Sequence, residues 1–194
     1  MTEALILDAI RTPIGRKGGV LAHYRSDDLA ADVLKALVER NGLQSNQIED
    51  VALGCVTQIG EQGVNVARNA VLAAGYPVTV PGTTINRLCG SGLQACNFAA
   101  QAVQSGHHNL VIGGGTESMT RVTMGSDAGA FSERIQERFD LVTQGIAAEF
   151  VAKKYQLSRE EIDQFSLESH QKAVAADFSR EILPIDGVTK DEGP

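Results

Sequence analysis

The sequence has no excess of basic residues, no long apolar run and no targeting segment, and each absence excludes a class of protein. Its 194 residues include 17 Lys and Arg against 24 Asp and Glu, a net charge of −7, so no general basic face is available for nucleic acid or an anionic membrane. No apolar stretch is long enough to cross a bilayer, and no basic, apolar and small-residue pattern follows Met1. We therefore expect a cytoplasmic protein that binds neither nucleic acid nor membrane.

Cysteine is scarce and shows no paired spacing. The three cysteines are Cys55, Cys89 and Cys96, an odd number that favours free thiols in a reducing compartment. There is no Cys-x-x-Cys, and the adjacent His107 and His108 direct their rings apart on either a helix or a strand. The sequence therefore predicts no metal site.

Apolar runs of strand character alternate with segments of helical period along the first 115 residues. Candidate strands cover residues 3–10, 51–57 and 109–114, and a further β-branched run leads up to Cys89. Helices are predicted over residues 26–40 and 64–74, and from Cys89 to about Gly106. This alternation predicts an α/β fold with a mainly parallel sheet and helices on both faces, whose ligands bind outside the carboxyl ends of the strands.

Cys89 lies where the period changes from strand to helix. The Gly-Ser-Gly at residues 90–92 supplies residues small enough for a tight turn and for close approach of a substrate. Such a turn exposes the side chain, and the helix start places backbone N–H groups where an oxyanion develops. A lone cysteine is more often a small core residue, but glycines at a helix start add nothing to a core. We therefore predict that Cys89 is a nucleophile.

Two further predictions concern the packing of the helix that follows Cys89. Its apolar residues recur every three or four positions, which assigns Cys96, together with Cys55, to the core; they are Leu93, Cys96, Ala100 and Val103. The three glycines at 113–115 lack the Gly-x-Gly-x-x-Gly spacing of dinucleotide sites and the Gly-Lys-Ser/Thr of a phosphate loop. We interpret them as a place of close backbone packing under this helix, and NAD or ATP binding is disfavoured.

Five ordered motifs resemble those of one enzyme family. The segment at 86–95, Asn-Arg-Leu-Cys-Gly-Ser-Gly-Leu-Gln-Ala, is similar to the nucleophile motif of the thiolases, the acyl-CoA C-acyltransferases that cleave or form 3-ketoacyl-CoA. The other motifs agree in order and spacing, and the resemblance covers essentially the whole chain. They are Arg-Thr-Pro-Ile-Gly at 11–15, Gly-Cys-Val-Thr-Gln at 54–58 followed by Asn-Val-Ala-Arg at 65–68, Gly-Gly-Gly-Thr-Glu-Ser-Met at 113–119, and Gly145 with Ala148, Glu149 and Ser-Arg-Glu-Glu at 158–161.

The resemblance implies a thiolase-like fold and an acyl-Cys89 intermediate. The side chain of Cys89 would attack the 3-keto group and its backbone N–H would be one oxyanion donor, with acyl-CoA and coenzyme A as substrates and no other cofactor. A homodimer or homotetramer is implied, with the loop at 11–25 in the subunit contact region. In the family a base histidine and a second cysteine lie in a C-terminal half, and no histidine or cysteine here matches those roles. We therefore expect an N-terminal fragment of a longer thiolase, with little or no turnover by itself.

The resemblance also divides the chain. Residues 1–118 are similar to the N-terminal α/β domain that carries the nucleophile, and residues 119–194 to the beginning of the helical loop domain that covers the acyl-CoA. Ser158 with Glu161 forms a capping box that predicts a helix start in this second part. Gln144 and Ala147 stand where many thiolases have Met and Thr near the acyl pocket, so Gln144 is a candidate substrate-binding residue of a more polar, roomier pocket.

Two other classes of function are retained as alternatives to the thiolase interpretation. A Cys-dependent condensing enzyme of related fold, such as a ketoacyl synthase, would accept acyl groups from an acyl-carrier protein instead of coenzyme A. It is disfavoured because the motifs at 86–95 and 113–119 match thiolases. A non-catalytic assembly module of a split or truncated thiolase would associate without any acylation of Cys89.

Overall fold

A computed structural model of the chain describes residues 3–193. Contacts between Cα atoms divide it into two compact units, one formed by the residues up to Asp127 together with Phe178–Gly193 and the other by Ala128–Asp177. The resemblance described above predicts a boundary at 118/119, with all later residues in a second domain. In the structure the last segment of the chain packs with the first unit.

The first unit is built on a parallel sheet of three strands. Strand β1 (Asp50–Gly54) lies between β2 (Gly82–Ile85) and β3 (Val111–Gly115). Leu53 pairs with Thr84 on one side and with Gly114 on the other. The parallel sheet with helices on both of its faces confirms the predicted α/β class.

The helices of the first unit are α1 (Ser26–Arg40), α2 (Val66–Ala73) and α3 (Ser91–Gln104), with short 3₁₀ helices at Ser45–Gln47 and Gly60–Gln62. The second unit contains α4 (Glu133–Gln136), α5 (Gln144–Tyr155) and α6 (Arg159–Ala175). The predicted capping box is confirmed, because the Ser158 side chain accepts from the Glu161 N–H and the Glu161 side chain accepts from the Ser158 N–H. None of the helices described between residues 3 and 193 combines the length and the hydropathy of a membrane-spanning segment.

The core lies between one face of the sheet and helices α1 and α2. Val51 and Leu53 of β1 point to this face, as the alternation of side chains along a strand requires. They pack with residues of both helices and of the following turn, which include Leu34, Val38, Ala67, Ala70, Val71 and Tyr76. The opposite face of β1 carries Gly54 and receives α3.

The predicted first strand over residues 3–10 is wrong. This segment forms no strand in the structure, and Leu5, Ile6 and Leu7 are 67–90% exposed. An apolar run becomes a strand only against a neighbour that accepts its backbone hydrogen bonds. The described chain provides a single bridge at the end of this segment, between Arg11 and Ile182.

Arg11 joins the first residues of the chain to its last described segment. Its guanidinium donates to both carboxylate oxygens of Asp191, at 2.7 and 2.9 Å, and to Glu181 at 2.7 Å. Asp191 also accepts from the Ile14 N–H at 2.7 Å. These bonds, with the ring of Phe178 stacked against the guanidinium, explain why residues 178–193 belong to the first unit.

This pairing makes part of the stability depend on pH. The hydrogen bonds from Arg11 hold the pKa of Asp191 below its ordinary value. A lowered native pKa gives stability that is present above the unfolded-state pKa of about 4 and lost as pH falls through the native one. Asp191→Asn is expected to lower the free energy of unfolding by about 1–2 kcal/mol at pH 7, a deficit that shrinks below pH 4.

Chemical denaturation of the parent and the variant between pH 3 and pH 7 measures this difference. Asp163→Asn is the matched control, because Asp163 pairs with Arg159 on an exposed face of α6, where such a pair contributes little. A deficit for Asp191→Asn that stays constant across the pH range would contradict the prediction.

Candidate active site

A tight turn between β2 and α3 carries Cys89. Strand β2 ends at Ile85 and α3 begins at Ser91, so five residues separate the strand from the helix. Leu88 has a φ of +47°, a left-handed conformation that costs a non-glycine residue roughly 1–2 kcal/mol. Directly after this strained residue, the side chain of Cys89 is exposed. The structure therefore has the strand-to-helix turn that the sequence predicts at this cysteine.

Side chains on both sides of the turn hold its conformation. Ser91, which is buried, accepts from the Arg87 N–H at 2.8 Å and donates to the Leu88 carbonyl at 2.6 Å. The Asn86 side-chain oxygen accepts from the Leu88 N–H at 2.9 Å. Among residues 3–193, no hydrogen bond uses the N–H of Cys89 itself. An unengaged N–H next to an exposed sulfur and a helix start is placed to donate to a developing oxyanion.

Glycines of the sheet let α3 approach closely. A Cβ atom on Gly54 would lie 2.3 Å from the Gly92 nitrogen and the Ser91 carbonyl carbon, and one on Gly113 would lie 2.7 Å from the Cys96 Cα. These distances are far below van der Waals contact, so any larger residue would push the helix away. The prediction of close backbone packing under the cysteine helix is confirmed for Gly113 and Gly115, whereas an added Cβ atom on Gly114 would face the Leu53 side chain.

This close packing explains why the predicted apolar stripe of α3 is wrong at Leu93 and Cys96, whereas Ala100 and Val103 are half-buried. The helix buries its small and polar residues Ser91, Gln94 and Ala95 against the sheet, whereas Leu93 is 71% exposed and Cys96 is exposed. Cys96 is therefore not a core residue. Periodicity located the helix but not the face that meets the sheet, because glycines on the strands favour small partners.

Cys55 is buried, as predicted. Burial raises the pKa of its thiol to about 12, and the negative charge of the nearby Glu117 adds to this effect. A thiol that stays protonated is a poor nucleophile and a poor proton acceptor. This environment disfavours Cys55 both as a nucleophile and as a proton acceptor.

The histidines of the first unit have partners away from the turn. His108 lies 3.2 Å from Glu49, which precedes β1 and so belongs to the amino ends of the strands. Cys89 follows the carboxyl end of β2. His23 lies 3.4 Å from Asp186, and the His107 ring contacts the His108 ring edge to face. Among the described residues, none of these contacts links a histidine of the first unit to Cys89.

Asn65 and Arg68 fix the segment that leads into β2. Asn65 caps α2, accepts from the Thr84 hydroxyl at 2.8 Å and donates to the Gly82 carbonyl at 2.7 Å. The Arg68 guanidinium donates to the carbonyls of Val78 and Val80. These two residues therefore anchor the loop that leads from α2 into β2.

Gln144 is the first residue of α5 in the second unit, and its side chain is exposed.

The sequence patterns did not reveal a hydrogen-bond network around Glu117 and Gln62. Through the Glu117 carboxylate and the wholly buried Gln62 side chain, this network joins the loop after β1 to the segment after β3. The only signal in the sequence is a glutamate and a glutamine in loops that follow two strands.

The three thiols are expected to differ sharply in reactivity. In the folded protein at pH 8, iodoacetamide should alkylate the exposed Cys89 and Cys96, and Cys55 should react at least about a hundred times more slowly because its thiol stays protonated. Peptide mapping by mass spectrometry at successive times gives each rate. Unfolding in guanidinium should make the three rates similar, and labelling of native Cys55 as fast as Cys96 would contradict the buried assignment.

Comparison with known proteins identifies the family to which this chain is similar. The sequence profile described as the thiolase N-terminal domain matches residues 4–193. A 3-oxoadipyl-CoA/3-oxo-5,6-dehydrosuberyl-CoA thiolase of Escherichia coli is 46% identical over 95% of this chain and 52% of its own length. A 3-ketoacyl-CoA thiolase of Aliivibrio salmonicida is 43% identical over 95% of this chain and 50% of its length.

A steroid 3-ketoacyl-CoA thiolase of Mycobacterium tuberculosis is 38% identical over the whole of this chain and 53% of its own length. The chain therefore spans about half the length of these relatives. The profile match, the parallel sheet and the turn at Cys89 agree with the ordered motifs of the sequence. The chain belongs to the thiolase family, in which it corresponds to the N-terminal domain.

Proposed function

We propose that this chain supplies the nucleophile and one oxyanion donor of a thiolase, which transfers acyl groups between Cys89 and coenzyme A. The observation that carries the proposal is the exposed Cys89 in a strained turn at a strand end, with its backbone N–H unengaged among the described residues. The names of the relatives, a 3-oxoadipyl-CoA/3-oxo-5,6-dehydrosuberyl-CoA thiolase and a 3-ketoacyl-CoA thiolase, support 3-ketoacyl-CoA esters as the substrate class.

In the proposed cleavage, the thiolate of Cys89 attacks the 3-keto carbon of a 3-ketoacyl-CoA. The oxygen becomes an oxyanion that accepts from the Cys89 N–H. The bond between C2 and C3 then breaks, and its electron pair leaves with acetyl-CoA as an enolate that takes up a proton. The thiolate of a second coenzyme A attacks the acyl-Cys89 thioester, releases acyl-CoA and restores the thiolate.

Thiol-to-thiol transfer suits a reversible enzyme, because the thioester broken and the thioester formed are of similar energy. We propose that the proton-transferring groups lie in the half of a full-length thiolase that this chain does not span. The residues of the first unit then bind and activate the electrophile, and the other half moves the protons.

The remaining assignments are proposals from family resemblance. Coenzyme A is a substrate and no other cofactor takes part, the enzyme is a homodimer or homotetramer, and it works in the cytoplasm. Gln144 at the start of α5 is proposed to contribute to an acyl pocket that is more polar and roomier than that of thiolases with Met at this position.

The substrate class is tested with a panel of acyl donors on the complete polypeptide. Acetoacetyl-CoA and longer 3-ketoacyl-CoA esters should serve with free coenzyme A as acceptor, and the same acyl groups on an acyl-carrier protein should not. Gln144→Met should shift the preference toward short chains, and equal preference in parent and variant would remove the pocket assignment.

Transfer from the carrier protein would instead indicate a ketoacyl synthase-like enzyme. No transfer from any donor, with association between copies retained, would indicate an assembly module. Either result would overturn the proposed thiolase activity.

A further inference from the structure

The Glu117 carboxylate accepts hydrogen bonds from several donors of one loop. Strand β3 ends at Gly115, and two residues later the Glu117 carboxylate accepts from the Val56 N–H at 2.7 Å and from the Thr57 N–H at 3.3 Å. It also accepts from the Gln62 amide at 2.6 Å. The loop after β1 supplies all three donors, so one carboxylate fixes that loop against the segment after β3.

Gln62 completes this arrangement from the other side. Its side chain is fully buried, donates to the Thr57 carbonyl at 2.9 Å and accepts from the Ser118 N–H at 2.7 Å. Both segments are therefore held by charge-assisted and amide hydrogen bonds, around a Gln62 side chain that is fully buried and a Glu117 side chain that is half-buried. Networks of this kind are rigid when every member is satisfied, and removing one member leaves buried polar groups unpaired.

Val56 connects this network to the turn at Cys89 through hydrogen bonds of its own backbone. Its N–H is held by Glu117, and its carbonyl accepts from the Asn86 amide at 2.9 Å. The Asn86 oxygen in turn accepts from the Leu88 N–H at 2.9 Å. Consecutive hydrogen bonds thus run from Glu117 to Leu88, whose left-handed φ sets the direction of the next peptide N–H, that of Cys89.

Glu117 is not placed to act as the base for Cys89. Its oxygens accept three hydrogen bonds from the loop after β1, so its carboxylate is committed to that loop. We propose that Glu117 is a positioning residue, which acts through Val56 and Asn86 to hold the Cys89 N–H in the direction required of an oxyanion donor. This inference rests on the proposed acyl transfer through Cys89.

The test compares two reactions of the Cys89 sulfur in the complete polypeptide. Acylation of Cys89 by acetoacetyl-CoA passes through an oxyanion, whereas alkylation by iodoacetamide develops none. Glu117→Gln keeps the shape of the side chain but turns an acceptor toward the loop into a donor. We expect it to slow acylation of Cys89 by about 10- to 100-fold, since loss of a whole oxyanion donor costs about 10²- to 10³-fold.

Alkylation of Cys89 should change by less than about threefold in this variant, because a misdirected N–H does not affect attack at a saturated carbon. Glu160→Gln is the matched control, since Glu160 is an exposed glutamate at the start of α6; both rates should equal those of the parent. Melting curves of each variant accompany the rates.

Asn86→Ala removes two hydrogen bonds of the same path, those to Val56 and Leu88, at an exposed side chain. It therefore tests the proposal even where Glu117→Gln fails to fold. It should slow acylation selectively as well, and Glu117→Gln added to it should slow acylation by no more than about twofold further, because both changes act on one path.

Parental acylation rates in Glu117→Gln or Asn86→Ala would overturn the inference while leaving the proposed function intact. Acylation and alkylation that fall together would show a general loss of structure and would also overturn it. A complete parent polypeptide that acetoacetyl-CoA does not acylate would overturn the proposed function itself.

Discussion

Replacing Cys89 with alanine is expected to lower the rate of thiolytic acyl transfer by the complete polypeptide at least about 10⁴-fold. Covalent catalysis has no substitute for its nucleophile, and loss of such a group typically removes nearly all turnover. The side chain of Cys89 is exposed, so the melting temperature should change by less than about 2 °C. Consumption of acetoacetyl-CoA in the presence of coenzyme A measures the rate.

Cys96→Ala is the control for this experiment. Cys96 is also exposed and lies within α3, seven residues after Cys89, so a general effect of losing a surface thiol would appear in both variants. We expect the Cys96 variant to keep the parental rate within about twofold. A Cys89→Ala protein that retains more than a hundredth of the parental rate would remove the nucleophile assignment.

Gly54→Ala is expected to have the largest effect on stability. The added Cβ would lie 2.3 Å from backbone atoms of Ser91 and Gly92, which are part of the first turn of α3 and cannot move aside as a flexible side chain can. We expect a loss of about 3 kcal/mol in the free energy of unfolding. Because displacement of this turn also moves the residue two positions before it, Cys89 should be acylated more slowly.

Gly114→Ala is the matched control for Gly54→Ala. Gly114 pairs with Leu53 on the adjacent strand, and a Cβ atom there would meet the Leu53 side chain at 3.5 Å, an ordinary contact. It should change the free energy of unfolding by less than about 1 kcal/mol. Chemical denaturation gives both values, and equal losses for the two variants would show that contact with α3 does not explain the effect.

The features that the sequence predicted correctly are those that local chemistry determines. Three strands and three helices of the first unit follow from apolar period, the turn at Cys89 from small residues after a β-branched run, and the close approach of α3 from the glycines at 113–115. In each case neighbouring residues restrict the backbone without help from distant parts of the chain.

The features that the sequence missed depend on distant partners. Residues 3–10 have the pattern of a strand but no neighbouring strand in the described chain, and α3 turns its smaller residues, instead of Leu93 and Cys96, toward the sheet. Glu117 and Gln62 are far apart in sequence, and nothing in the local pattern shows that their side chains meet. Register, buried face and polar networks are tertiary properties, so single-sequence patterns do not determine them.

The most direct test of the account is the site of covalent acylation. The protein is incubated with acetoacetyl-CoA, its intact mass is measured, and the modified residue is located by peptide mapping beside a Cys89→Ala sample. The account predicts an acetyl group on Cys89, with none on Cys55 or Cys96 and none in the variant. An acetyl group on another residue, or an unmodified Cys89 in a complete polypeptide that turns over acetoacetyl-CoA, would contradict it.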